Sequence, residues 1–222
     1  MRLSEHVGIL ALGSHNERHG AALPPDTDAK LASHVAQEAA KRTGAKFLGI
    51  LQSSYELPEI NTGRHQSLDD VLAELRTVLL NAKKSLGIKA VVLVNGHGGN
   101  GILREWVTKI ETELNMRLAF NNTIINLEGP HAATGELSMA AAIGIADESR
   151  IGEHTDFKRY PEVAFIGLRE ARKRYVWAER QAQEVEKLGL RIDKYLGKKL
   201  LECAIADVIN DVREISNGEG HT

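Results

Sequence analysis

One cysteine in 222 residues excludes any internal disulfide framework. Cys203, flanked by Leu200, Leu201, Ala204 and Ile205, is expected to be a buried structural thiol rather than a nucleophile. The implied setting is a reducing cytoplasm. Long apolar runs are missing too, since none approaches the ~20 residues needed to span a bilayer. Residues 1–6 lead straight into a short apolar run, which does not read as a secretory signal. No membrane role is expected. Nor is there a basic excess: 28 lysines and arginines stand against 30 aspartates and glutamates, so nothing draws in nucleic acid. An anionic small molecule would need a local basic pocket. No repeat, low-complexity tract or linker divides the chain, so residues 1–222 are read as one domain.

What is present is an alternation of strands and helices. Residues 7–12, 46–51 and 90–94 are short apolar runs of the kind buried on both faces, and 118–120 is a fourth candidate. Helices are expected from Asp26 or Thr27 to about Thr43, from Ser67 to Leu86, and from Ile102 to Leu114. This order predicts an α/β fold with a mainly parallel sheet covered on both sides. In the last third, 163–166 reads as a further strand, and 169–187 and 191–212 as charge-rich helices that pack on the sheet or form a subunit contact. The polar, glycine-rich tail is expected to fray past Ile215.

The chemistry concentrates just after strands, where ligands of parallel sheets gather. Glu17, His19 and Asp28 fall in the connection after 7–12. In an extended segment, Glu17 and His19 point to the same side, and a chain reversal through Pro24-Pro25 would bring Asp28 back to them. Capping alone would explain Asp26, but not two acids and an imidazole at one strand end. That donor set suits Zn, Mn or Fe(II). His97, in Asn95-Gly96-His97-Gly98-Gly99-Asn100, follows the third strand. The loop reads as a fourth metal ligand with Asn95 and Asn100 orienting it, or as a glycine-rich anion cradle. A third segment places His131 and Glu136 near a helix start, as a proton shuttle or with Glu136 as an added ligand.

Together, Gly13-Ser14-x-x-Glu17-x-His19-Gly20 with Thr27-Asp28, then Asn95-Gly96-His97-Gly98-Gly99-Asn100, then His131-Ala132-x-x-x-Glu136-x-Ser138 resemble the creatininase family, in family order. The resemblance implies a three-layer α/β/α fold, homo-oligomeric assembly (dimer or higher), and metal-dependent cleavage of amide C–N bonds. It further implies Glu17 and His97 on one ion, His19 on a second, and Asp28 bridging. Creatininase itself has a ligating glutamate where this chain has Gly99, and residues 55–65 also depart from the family pattern, which argues against creatinine as substrate.

Within the family, residues 8–15, 23–30, 42–49, 128–132 and 134–138 look most like archaeal deformylases of flavin and deazaflavin biosynthesis. These are Fe(II)-dependent enzymes that release formate from a formylaminopyrimidine nucleotide. The expectation is one or two ions per subunit, Fe(II) first and Zn or Mn as alternatives, with His131 or Glu136 as proton donor. Arg64 is the candidate phosphate ligand. Other readings are an amidohydrolase acting on creatinine or a related small amide, and a non-catalytic metal- or nucleotide-binding protein.

Overall fold

A computed structural model describes residues 6–217. Four strands, β1 (Val7–Leu12), β2 (Lys46–Leu51), β3 (Ala90–Asn95) and β4 (Arg117–Asn121), form one sheet in the order β2-β1-β3-β4. Every neighbouring pair is parallel. Helices α1 (Thr27–Thr43), α2 (Leu68–Leu86) and α3 (Val107–Leu114) connect them. Beyond the sheet come α4 (Thr123–Glu128), α5 (Thr134–Ala142), α6 (Ile151–His154), α7 (Arg169–Arg174), α8 (Val176–Leu188) and α9 (Lys194–Asn217).

The central strands are buried along their whole length because successive side chains serve opposite faces. Val7, Ile9, Ala11, Val92 and Val94 pack with Leu31 and Val35 of α1 and with Leu201, Ile205 and Val208 of α9. Leu10, Leu12, Val91 and Leu93 pack on the other side with Leu72, Leu75 and Leu79 of α2 and Ile110 of α3. The result is the expected three-layer α/β/α arrangement.

The crossovers position the site. The connection from β1 to β2 runs through α1 on one face, whereas α2 and α3 lie on the other. The winding therefore reverses between β1 and β3, and the crevice beyond their carboxyl ends is the switch point where such sheets bind ligands.

Several expectations need correction. Residues 163–166 form no strand; Val163–Phe165 is a tight turn with Ala164 and Phe165 at positive φ. Its apolar side chains are buried beneath site loops, and Ala164 N donates to His131 O at 2.8 Å. The stretch 98–106 is a 3-10 segment, so the regular helix starts only at Val107. Tyr175, extended and stacked near Trp177, divides α7 from α8. The last helix starts at Lys194, where the Asp193 carboxylate accepts from Tyr195 N and Leu196 N, and it continues past Ile215 to Asn217. Asp26 makes no capping bond through its side chain and instead pairs with Lys30 at 2.8 Å. Cys203 is exposed, because the buried stripe of α9 runs through Leu201, Ala204 and Ile205 and leaves position 203 outside it. The expectations for the leading residues 1–5 and the tail 218–222 lie outside the described residues. No described helix is long and apolar enough to cross a membrane.

Candidate active site

Glu17, His19, Asp28 and His97 meet at this switch point, all of them buried. Asp28 enters from the first turn of α1 and His97 from the loop after β3. Gly96 allows the approach: a Cβ there would stand 2.5 Å from Asp28 O. The Asp28 carboxylate faces both imidazoles, Oδ1 at 2.8 Å from His19 Nε2 and Oδ2 at 2.9 Å from His97 Nδ1. Glu17 Oε2 lies 2.8 Å from the same His97 Nδ1. The opposite ring nitrogens are pinned by the main chain, His19 Nδ1 at 3.1 Å from Glu17 O and His97 Nε2 at 2.9 Å from Tyr55 O. That pattern fixes ring orientation and leaves one nitrogen of each ring turned toward the carboxylates.

The neighbouring loops hold these groups in place. Thr62 donates its hydroxyl to Glu17 Oε1 at 2.7 Å, and Arg18 N donates to Thr62 O at 2.7 Å. Asn95 braces the His97 loop from within, accepting from His97 N and donating to His97 O. Asn100 ties it to the chain after β2, donating to Ser53 O and accepting from Tyr55 N. Glu136 is buried at the start of α5, 3.3 Å from His19 Nε2, and its other oxygen accepts from Ala132 N at 2.7 Å. His131 Nε2 donates to Arg18 O at 3.0 Å and lies 3.9 Å from Glu17 Oε1.

Burial works against charge throughout this cluster, yet opposite charges prevail for most of its members. Burial opposes protonation of His19 and His97, but Asp28 and Glu136 hold the first, and Glu17 and Asp28 the second, well above the ordinary histidine range. Burial likewise opposes ionisation of Glu17, and His97 with the other imidazoles overcomes it, holding that carboxyl well below its usual value. Glu56 and Glu128 show the reverse. Burial pushes Glu56 up to about 7, only partly offset by His97. Burial and the nearby Glu136 and Asp28 raise Glu128 well above its usual value. Carboxylates outnumber imidazoles, so the pocket is short of positive charge.

The cluster opens into a cavity of about 340 Å³. Its wall includes Glu17, Asp28, His97 and His131 among the expected residues, and Glu56, Glu128, Phe165, Trp177 and Gln181 among those that sequence reasoning had not assigned. Phe165 stacks on His131 with ring centroids 5.2 Å apart, and Trp177 meets Phe165 edge-on at 5.4 Å, so one side of the cavity is aromatic. Arg64, the candidate phosphate ligand, is exposed and lines a second, open cleft with Arg18, Arg159 and Tyr160, and Glu17 and His19 of the cluster also line that cleft. No sequence signal marked Phe165 or Trp177, because the folding of 163–178 over the site is a tertiary event. Glu56 stood in the divergent loop, where its role was not legible.

The donor set fits a divalent cation. Glu17, His19 and Asp28 place one ligand atom each within 4.8 Å of one another, and so do Glu17, Glu56 and His97. Glu17 Oε2 is buried and has no partner in hydrogen-bonding geometry, despite its closeness to His97. An unsatisfied buried carboxylate oxygen among imidazoles is a costly arrangement that an ion would relieve.

The chain is similar to known proteins along most of its length. Over 210 residues, the chain is 50% identical to the 2-amino-5-formylamino-6-ribosylaminopyrimidin-4(3H)-one 5'-monophosphate deformylase of Methanothermobacter marburgensis, with 94% of this chain and 90% of that one aligned. It is 46% identical over the same span to the deformylase of Methanosphaera stadtmanae, again covering 94% and 90%. Among solved structures, a manganese form of creatininase superposes with a TM-score of 0.67 at 16% identity, covering 96% of this chain and 93% of that one. A zinc–zinc form of a creatininase mutant gives 0.64 at 17% identity, covering 95% and 90%. The model of the creatininase family, described as creatinine amidohydrolase, matches residues 2–210. This chain belongs to the creatininase family.

Proposed function

We propose that the protein is a metal-dependent deformylase that hydrolyses the formamide of 2-amino-5-formylamino-6-ribosylaminopyrimidin-4(3H)-one 5'-monophosphate, the substrate named for its archaeal relatives. The observation that carries this reading is the convergence of Glu17, Asp28, His97 and His131 on one cavity, from three separated motifs, with His19 joined to them through Asp28. In this reading Glu17 and His97 hold one ion, His19 a second, and Asp28 faces both. A divalent ion there supplies Lewis acidity, polarising the formyl carbonyl and lowering the pKa of water. Fe(II) is the assigned ion, and Mn or Zn would suit the same nitrogen and oxygen donors.

The remaining roles follow from placement. Of the two proton-donor candidates, His131 lines the cavity, whereas Glu136, buried 3.3 Å from His19 Nε2, does not. His131 is therefore assigned to protonate the departing 5-amino nitrogen as water adds to the formyl carbon and its C–N bond breaks. Glu136 orients His19 and steadies the Ala132 turn. Phe165 and Trp177 offer a stacking surface for the pyrimidine ring. Among the described residues no lysine or arginine lines the cavity, and this reading assigns the 5'-phosphate to a position beyond its mouth. Homo-oligomeric assembly accompanies this reading.

The test is substrate preference. Metal-loaded protein assayed against the formylaminopyrimidine nucleotide and against creatinine should favour the nucleotide strongly in kcat/KM. Preference for creatinine would reject the assignment.

A further inference from the structure

The geometry points to Glu56 as a further metal ligand: we propose that the ion held by Glu17 and His97 also takes a carboxylate oxygen from Glu56. This rests on the metal-dependent reading above and names a residue outside the four expected ligands.

Glu56 lies on the segment that crosses the His97 loop. Its side chain is only 8% exposed. Oε1 accepts from Leu57 N at 2.6 Å, which sets the carboxylate's orientation and leaves Oε2 3.7 Å from His97 Nε2. One carboxylate oxygen of Glu56, one of Glu17 and one ring nitrogen of His97 lie within 4.8 Å of one another. Ligands about 2.0–2.2 Å from a common ion stand no farther than about 4.4 Å apart, so a small side-chain adjustment suffices. Among the described residues no lysine or arginine lines the cavity to neutralise a buried carboxylate there.

Two further observations are independent of that spacing. Glu17, a member of the same group of three, has its Oε2 buried 2.8 Å from His97 Nδ1 yet outside hydrogen-bonding geometry. Position 99 of the His97 loop has no room for a side chain: a Cβ at Gly99 would fall 2.0 Å from Tyr55 O and 3.0 Å from Glu56 Oε1. The main chain of 55–56 fills that space and delivers Glu56 to it. With Glu56, the ion at Glu17 and His97 has an oxygen-rich donor set that suits Mn or Fe(II).

The test is Mn(II) titration of metal-stripped, full-length protein, followed by the EPR signal of free Mn(II). Glu56→Gln keeps the side-chain volume and removes the charge. It should abolish one binding step or weaken it at least about tenfold, with the melting temperature of the stripped protein preserved. Wild-type stoichiometry and affinity in Glu56→Gln would overturn the assignment. A Mn-loaded wild-type crystal at the manganese absorption edge gives a second readout that needs no variant. A Glu56 oxygen bonded to the ion supports the proposal, and an ion more than about 3 Å from both Glu56 oxygens overturns it. If wild-type protein binds no Mn(II), Fe(II) or Zn(II), the metal reading itself fails. Unaltered binding in Glu56→Gln alone would leave that reading intact.

Discussion

Asp28 Oδ2 and His97 Nδ1 stand 2.9 Å apart although 69 positions separate them in sequence. The contact joins the connection after β1 to the loop after β3, the two strands between which the sheet reverses its winding. Asp28 Oδ1 simultaneously reaches His19, so one carboxylate ties together both imidazoles of the cluster. Asp28→Asn should reduce metal-dependent formate release by more than about a hundredfold, since even indirect partners of a metal ligand are worth ten- to a hundredfold. Bound metal measured beside activity, with circular dichroism as a control for folding, checks this. Near-normal turnover in metal-defined buffer would remove Asp28 from the mechanism.

Removing the ion should loosen the fold. Glu17, Asp28, Glu56 and Glu136 converge with His19 and His97 on one buried space, so a cation held there binds the native state and not the unfolded chain. At a free concentration one hundred times Kd, that preference contributes about 2.7 kcal/mol. For a chain of this size the corresponding rise in Tm is roughly 5–10 °C. Differential scanning calorimetry of stripped and reloaded protein reads it directly, and equal Tm values would contradict it.

His154 braces the site without lining the cavity. Its Nδ1 accepts from Ala22 N at 3.0 Å and its Nε2 donates to Ala132 O at 2.8 Å, joining the loop after β1 to the positive-φ turn before α5. His154→Ala removes both bonds and opens a void, and should cost about 3 kcal/mol in denaturant unfolding.

The same residue imposes a pH dependence. Burial holds the His154 pKa below its usual value, so the folded state favours the neutral ring. The unfolded chain titrates at about 6.5. The His154 contribution is thus complete above that pH and is lost as pH falls through the lower folded-state value. Between wild type and His154→Ala, the stability difference should shrink on acidification below about 6.5. A difference that grows in that range would contradict the neutral assignment.

Trp177 should act on binding more than on chemistry. An edge-on aromatic contact of this type is worth about 0.5–1.5 kcal/mol. Trp177→Ala should raise KM for the nucleotide up to about tenfold while kcat changes little. A fall in kcat with unchanged KM would place Trp177 in a different role.

Much of the fold was legible because the central strands are apolar on both faces and the helices begin and end on ordinary signals. Ser67, for example, accepts from Asp70 N as a helix cap should. The cluster of Glu17, His19, Asp28 and His97 was legible because each sits in a compact motif after a strand. What escaped has a common cause. Val163 and Phe165 form an apolar run that local pattern cannot distinguish from a strand, and only packing under the His131 loop bends it into a turn. Glu56, Glu128 and Trp177 reach the site through chain crossings that leave no periodic trace. Arg64 was singled out for its place in the divergent loop, and the fold sets it on an open cleft that Glu17 and His19 also line.

The central claim is tested most directly by formate release under anaerobic conditions. Metal-stripped protein is given the formylaminopyrimidine nucleotide alone, then with Fe(II), Mn(II) or Zn(II). The account predicts no formate from the stripped protein and one formate per diaminopyrimidine product once metal is restored, with Fe(II) the most effective. Absence of formate with every metal, despite tight metal binding, would contradict it.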